Sequence, residues 1–264
     1  MTFNIERRYR YIIQSIFAFL FVYFFLYKLN VPISLGVFSS AIFVVGFSMF
    51  SHYPNIKINN LVFSTILPLQ LFVGTMLFLK FFPNLSVIFA VMASAGFSAI
   101  YYVSSLVDNI FLVVHDREEQ IPLYRVALTT SQVLSVAIAI PLFSALFKLN
   151  VNAFWQSLFV FTSANFFSIY QFWSLRFDDD TKNAGVGETL LLCFFVSFLT
   201  AISNLSVSFL PTESFLRGLF VSCVMMFGLS YVQSHLRNDI SKKNLLQHLA
   251  IILAFYIILL IFSP

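Results

Sequence analysis

Residues 11–29 read YIIQSIFAFLFVYFFLYKL, an apolar run whose first charged residue is Lys28. Three arginines, Arg7, Arg8 and Arg10, come just before it. A helix of about 20 apolar residues crosses the hydrocarbon of a bilayer, and basic residues flank such helices on the cytoplasmic side. Because no small-x-small cleavage site follows the run, we expect a retained first membrane helix rather than a signal peptide.

The same pattern recurs along the rest of the chain, whose 264 residues are 59% hydrophobic and only 10% charged, with a mean hydropathy of +0.90. A soluble domain has about 25% charged residues. The runs are continuous rather than alternating, which excludes a strand barrel and predicts an all-α polytopic membrane bundle. We expect one multi-pass membrane domain over residues 1–264. Its nine predicted spans lie near 11–29, 31–50, 61–82, 85–107, 125–147, 153–175, 189–210, 215–234 and 245–262.

The links between the predicted spans alternate in length. Short links cover 28–30, 83–84, 148–152 and 211–214, and long links cover 51–60, 108–124, 176–188 and 235–244. Short links join antiparallel neighbours, so the chain is interpreted as four helical hairpins plus a terminal helix. Tyr27–Val31 resembles Phe147–Val151, which indicates either duplicated hairpins or a chance match in a chain with 36 Phe residues.

Charge falls mainly on one side of this predicted domain. If the chain changes sides at each span, eleven of the 15 basic residues share the N-terminal side: Arg7, Arg8, Arg10, Lys57, Arg117, Arg125, Arg176, Lys182, Arg237, Lys242 and Lys243. The positive-inside rule then predicts a cytoplasmic N-terminus and, after nine spans, an external C-terminus. We interpret the pI of about 9.1 as the result of basic residues that hold these loops in the cytoplasm, rather than as a sign of nucleic-acid binding. We expect a bacterial plasma membrane protein.

Small residues are frequent in the even-numbered spans and in the fifth, whereas the first and ninth spans are bulky. Small side chains let helix backbones approach each other closely in lipid. We therefore expect the even-numbered spans and the fifth at the centre of the bundle, and the first and ninth facing lipid.

Several polar residues and two prolines lie inside the predicted spans. They are Gln70, Gln132, Asn165, Gln171, Pro68 and Pro141. Together they could line a polar cavity for a neutral or zwitterionic substrate, or they could bond and kink neighbouring helices. Charged residues are expected only near the ends of spans and in loops, which argues against a relay of carboxylates.

Two predicted cytoplasmic loops carry acidic clusters. One holds His115, Asp116, Glu118 and Glu119, and the other holds Asp178, Asp179 and Asp180. Either cluster could bind a protein partner or a metal ion, or could be a solvated charged loop. Further ligands are distant in the sequence, so we expect no metal site.

The second of these loops resembles an Asp-rich motif of UbiA-type membrane prenyltransferases. It reads Asp178-Asp179-Asp180-Thr181-Lys182, followed by Gly185-Val186-Gly187 and the seventh span. The resemblance covers about a dozen residues and implies a nine-helix enzyme whose aspartates hold Mg²⁺ against a prenyl diphosphate. That family has a companion motif of Asn and aspartates after its second helix, but 51–57 read SHYPNIK here.

No Gly-rich phosphate loop, CxxC or HExxH pattern is present, and no serine has a histidine and an acid at matching depth. The sequence therefore favours a non-catalytic membrane protein without a cofactor. It would act in transport or lipid handling, or as a subunit that binds a membrane or cytoplasmic protein. The alternative is a UbiA-like prenyltransferase with a degenerate Asp-rich site.

Overall fold

The computed structural model describes residues 7–29, 31–52, 58–81, 86–117, 121–178, 180–182 and 184–262. Nine α-helices run through these ranges. They are α1 (Arg7–Leu20), α2 (Ile33–His52), α3 (Ile58–Phe81), α4 (Val87–Arg117), α5 (Leu123–Leu146), α6 (Ala153–Leu175), α7 (Val186–Ser208), α8 (Ser214–Leu236) and α9 (Lys242–Ile261). A π-helix, Phe21–Lys28, follows α1 directly. The predicted all-α membrane bundle is confirmed.

Eight of the described helices are long and apolar enough to cross a membrane, so the chain is an integral membrane protein. The exception is α6, whose bounds coincide with the sixth predicted span. Its length of 23 residues is sufficient, but its sequence, which includes Gln156, Asn165 and Gln171, has a lower mean hydropathy than a membrane span requires. Two of these side chains, Gln156 and Gln171, are buried against other helices rather than exposed.

The helix that contains the fourth predicted span continues past residue 107, the predicted end of that span, to Arg117. At 1.5 Å per residue, its 31 residues extend for about 46 Å, well beyond the roughly 30 Å of bilayer hydrocarbon. Asp108 and His115 thus lie on a helix instead of in a loop. The reason is the apolar run Ile110–Val114, which buries Phe111 and Val114 and keeps the chain helical.

Contacts between the helices divide the chain into two compact units, unit 1 (Met1–Glu119) and unit 2 (Gln120–Pro264). In unit 1, α1 and α3 each pack against both α2 and α4. In unit 2, α5 and α7 each pack against both α6 and α8, and α9 is added against α8. In each unit, therefore, each of the first four helices packs against the next one in the chain, and the fourth also packs against the first.

Burial corrects the predicted centre of the bundle. Among the spanning helices, α3, α5 and α8 are the most buried, whereas α2 and α4 are largely exposed and α9 is almost entirely so. The expected central position is wrong for α2 and α4: Gly36 of α2 does lie against Met76 of α3, but Gly46 of α2 and Gly96 of α4 do not serve close packing. A Cβ atom added at Gly46 or Gly96 would meet nothing within 4 Å, but one at Gly218 would lie 2.7 Å from Cα of Ser144.

Candidate functional site: a polar cleft in unit 2

Charged side chains from four segments of unit 2 meet at one end of its helices. Arg237, at the end of α8, donates from Nη2 (2.6 Å) and Nε (3.0 Å) to Oδ2 of Asp178 in the α6–α7 link. The Asp178 side chain is fully buried and that of Arg237 is 29% exposed. A buried carboxylate needs compensation of this kind, so the pair fixes the link to the end of α8.

A second group of contacts ties the same link to α7 and α8. Nζ of Lys182 lies 2.6 Å from Oε1 of Glu188, and Nε2 of His235 lies 3.1 Å from the same oxygen. The backbone N–H of Lys182 donates to the carbonyl of Leu236 at 2.9 Å. These contacts hold the start of α7 beside the end of α8.

The α8 helix ends in a turn that Asn238 makes possible. Asn238 has a positive φ of 51°, a conformation that Asn tolerates better than most residues at a helix C-terminus. The N–H of Asp239 then donates to the carbonyl of Ser234 at 2.9 Å. This turn reverses the chain into α9 and leaves the Asp239 side chain exposed at the mouth of two clefts.

The first of these, the α8–α9 cleft, has a volume of about 220 Å³ and a graded lining. Its polar end includes Gln233, Arg237, Asp239, Ser241 and Asn244. Ile240 and Leu245 lie beside these polar residues in the sequence, and further along α8 and α9 the lining includes Phe227, Ser230, Tyr231 and His248. Along α8 the lining thus changes from the charged Arg237 and the amide of Gln233 to the aromatic Tyr231 and Phe227, over a rise of about 15 Å.

The second, the α5–α8 cleft, adjoins the first through Gln233, Arg237 and Asp239. Its volume is about 590 Å³, and Arg125, Thr129 and Asp180 complete its polar rim. Arg125 and Asp180 form an ion pair at 3.1 Å, with both side chains mostly exposed.

The predicted polar residues do not gather in one place. Gln132 lies below the clefts, where its amide donates to Oε1 of Gln233. Gln171 is fully buried in α6 and neither of its amide atoms has a hydrogen-bond partner among the described residues. Pro141 lies inside α5, and Asn165 lies on α6. Gln70 and Pro68 belong to α3 of unit 1. None of the six lines either cleft.

The predicted acidic loops are separated in the same way. Asp178 and Asp180 belong to the site in unit 2, and His115 and Asp116 lie near the end of α4 in unit 1. Asp179, Glu118 and Glu119 fall outside the described residues. Within the described part of the chain, no three His, Cys, Asp or Glu side chains come together as metal ligands. Asp178 and Asp180 instead face arginines.

Sequence reasoning missed the residues that line the α8–α9 cleft. A signal for them exists, because Ser230, Gln233 and Arg237 follow each other on α8 at the spacing of one helix face. Ser241, Asn244 and His248 repeat that spacing on α9. Two polar stripes on consecutive helices predict a shared polar seam. In unit 1, sequence reasoning also missed Asp108, which is buried on α4.

Comparison of the chain with protein-family models, with curated proteins and with solved structures gives no match.

Proposed function

We propose that this protein is a non-catalytic membrane protein that binds an amphiphile, such as a membrane lipid, in the α8–α9 cleft, and that it acts in transport or lipid handling. The graded lining of the cleft carries this proposal. An amphiphile has a polar headgroup and an apolar tail, and the cleft offers Arg237, Asp239 and Asn244 at one end and Phe227 and Tyr231 at the other.

The position of α9 supports the same function. It is by far the least buried of the spanning helices, so little apolar packing holds it in place apart from its contact with α8. Separating two helices in lipid loses little hydrophobic free energy, because lipid tails replace the contacts. A lipid can therefore enter the cleft sideways by a small movement of α9.

The orientation of the protein belongs to the same proposal. The clefts lie at the end of unit 2 that carries Arg125, Lys182, Arg237, Lys242 and Lys243. The positive-inside rule places this end, and the N-terminus, in the cytoplasm of a bacterial cell, and the C-terminus outside. A headgroup in the α8–α9 cleft would then lie in the inner leaflet, and the exposed rim of the α5–α8 cleft would be open to a cytoplasmic protein partner.

The ion pairs favour this function over the prenyltransferase-like alternative. In that reading Asp178 and Asp180 would present their carboxylates to Mg²⁺. Asp178 is instead buried and accepts two hydrogen bonds from Arg237, and Asp180 accepts one from Arg125. Carboxylates neutralised by arginine serve to hold the loop in place.

The proposal is tested by filling the cleft. Ser230 lines it, so Ser230→Phe should displace a bound amphiphile. Ser206→Phe adds the same bulk to an exposed position of α7 and serves as the matched control. Native mass spectrometry of protein extracted gently from its membrane should show a retained lipid in the wild type and in Ser206→Phe, and at least tenfold less in Ser230→Phe.

Equal retention in the two phenylalanine variants would contradict the proposal, as would a wild-type protein that carries no lipid. A retained polypeptide in place of a lipid would instead indicate a subunit of a membrane complex.

A further inference from the structure

We infer that the headgroup held in the α8–α9 cleft carries a primary ammonium group together with its phosphate, so that the preferred lipid is of the phosphatidylethanolamine class. This inference rests on the proposed function and names the chemical class of its ligand. Three observations carry it: each arginine at the cleft has an acidic partner, no described residue compensates the carboxylate of Asp239, and hydrogen-bond donors line the same cleft as that carboxylate.

The two arginines at the clefts are already neutralised. Arg237 donates twice to Asp178, and Arg125 is paired with Asp180. An anionic lipid without a cation of its own would therefore meet no free positive charge at these two side chains. This arrangement gives no reason for a preference for a purely anionic headgroup.

Asp239 differs from the other carboxylates at this end of unit 2. No hydrogen bond or ion pair reaches its side chain from the described residues, although it lies at the mouth of both clefts. Asp178, Asp180 and Glu188 all have cationic partners. An ammonium group bearing N–H donors can offer Asp239 both charge and hydrogen bonds, and a quaternary ammonium can offer only charge.

Donors for a phosphate line the same cleft as this carboxylate. Arg237 commits Nε and Nη2 to Asp178, and its guanidinium has further N–H groups. The hydroxyl of Ser241 and the amide of Asn244 line the same part of the cleft. Asp239 and Ser241 are two residues apart, which limits their Cα separation to about 7 Å. Side chains on residues this close in the chain can contact both ends of a small headgroup, in which two carbons join the phosphate to the amine.

The test compares headgroups in competition. Purified full-length protein is equilibrated with vesicles of equal parts phosphatidylethanolamine, phosphatidylcholine and phosphatidylglycerol, and the bound lipid is identified by native mass spectrometry. The wild type should enrich phosphatidylethanolamine about threefold to fivefold over the other two, the range expected for one exposed ion pair. Asp239→Asn should abolish the enrichment, and Asp239→Glu should keep it.

Glu213→Gln removes a carboxylate at the start of α8, 26 residues from Asp239 along the sequence, and should leave the enrichment unchanged. Preferential binding of phosphatidylglycerol or phosphatidylcholine, or enrichment that survives Asp239→Asn, would overturn the inference while leaving the cleft a lipid site. The absence of any bound lipid would overturn the proposed function itself.

Discussion

At the residue scale, two ion pairs of the same chemistry have different energetic weights. The Asp178–Arg237 pair contains a fully buried carboxylate, whereas both partners of the Arg125–Asp180 pair are mostly exposed. Water screens the exposed pair and competes for its hydrogen bonds. The buried carboxylate has no such alternative, so its stability depends on its protein partners.

Arg237→Ala should lower the free energy of unfolding by about 2–3 kcal/mol, because it leaves the buried carboxylate of Asp178 without the guanidinium. Arg125→Ala is the matched control and should cost less than about 1 kcal/mol. Thermal unfolding of both variants in the same detergent measures the difference. Equal losses in the two variants would show that burial of Asp178 does not set the strength of its pair.

At the element scale, Gly218 permits the close approach of α8 to α5. Gly218 of α8 lies against the backbone of Ser144 in α5, where an added Cβ would be 2.5 Å from the Ser144 nitrogen. The same pair of helices is bonded further along by Gln132 and Gln233. Unit 1 joins its own first and fourth helices in the same manner, since Gln14 donates to Ser105 at 2.9 Å. A glutamine on the first helix thus bridges to the fourth helix in each unit.

Gly218→Ala should force α8 away from α5 and destabilise unit 2 by about 1–3 kcal/mol, the usual cost of an overpacked contact. Gly187→Ala, near the start of α7, meets nothing within 4 Å and should be neutral or slightly stabilising. The melting temperatures of the two variants in one detergent make the comparison. A melting temperature of Gly218→Ala at or above that of wild type would be inconsistent with the observed helix approach.

At the scale of the whole molecule, α6 decides the side on which the chain ends. Two of its polar residues are bonded to neighbours: Gln156 donates to the carbonyl of Leu149 at 3.0 Å, and Ser157 accepts from Asn204 of α7 at 2.9 Å. Its packing against α7 is extensive, and the two helices have the same length of 23 residues. We therefore expect α6 to cross the membrane with its partners, although its composition alone does not require it.

A reporter fused to the C-terminus tests this expectation. With nine crossings the two ends of the chain lie on opposite sides, so an alkaline phosphatase fusion should be active and a green fluorescent protein fusion dark. A matched pair of fusions after α5 controls for the orientation of the preceding spans. A fluorescent C-terminal fusion, with the fusions after α5 reporting an external end, would mean that only eight helices cross.

The sequence alone determined the membrane class, the all-α fold and the approximate positions of the helices. For example, the sixth predicted span matches α6 at both ends, and the eighth differs from α8 by one residue at its start and two at its end. These features are local, because the length and continuity of an apolar run decide whether a segment becomes a membrane helix. The fourth predicted span ends at residue 107 because Asp108 interrupts the apolar run, whereas α4 continues past it to Arg117.

Only the tertiary structure decided which polar residues meet. Gln70, Gln132 and Gln171 are similar in sequence context, yet the first lies in unit 1, the second bonds to Gln233, and the third is buried without a bonded amide partner among the described residues. Likewise, the structure alone pairs Asp178 with Arg237 and leaves Asp239 at the mouth of the clefts. The physical reason is that the rotation and pairing of helices depend on contacts between residues far apart in the chain, such as Gly218 with Ser144, and no local pattern records them.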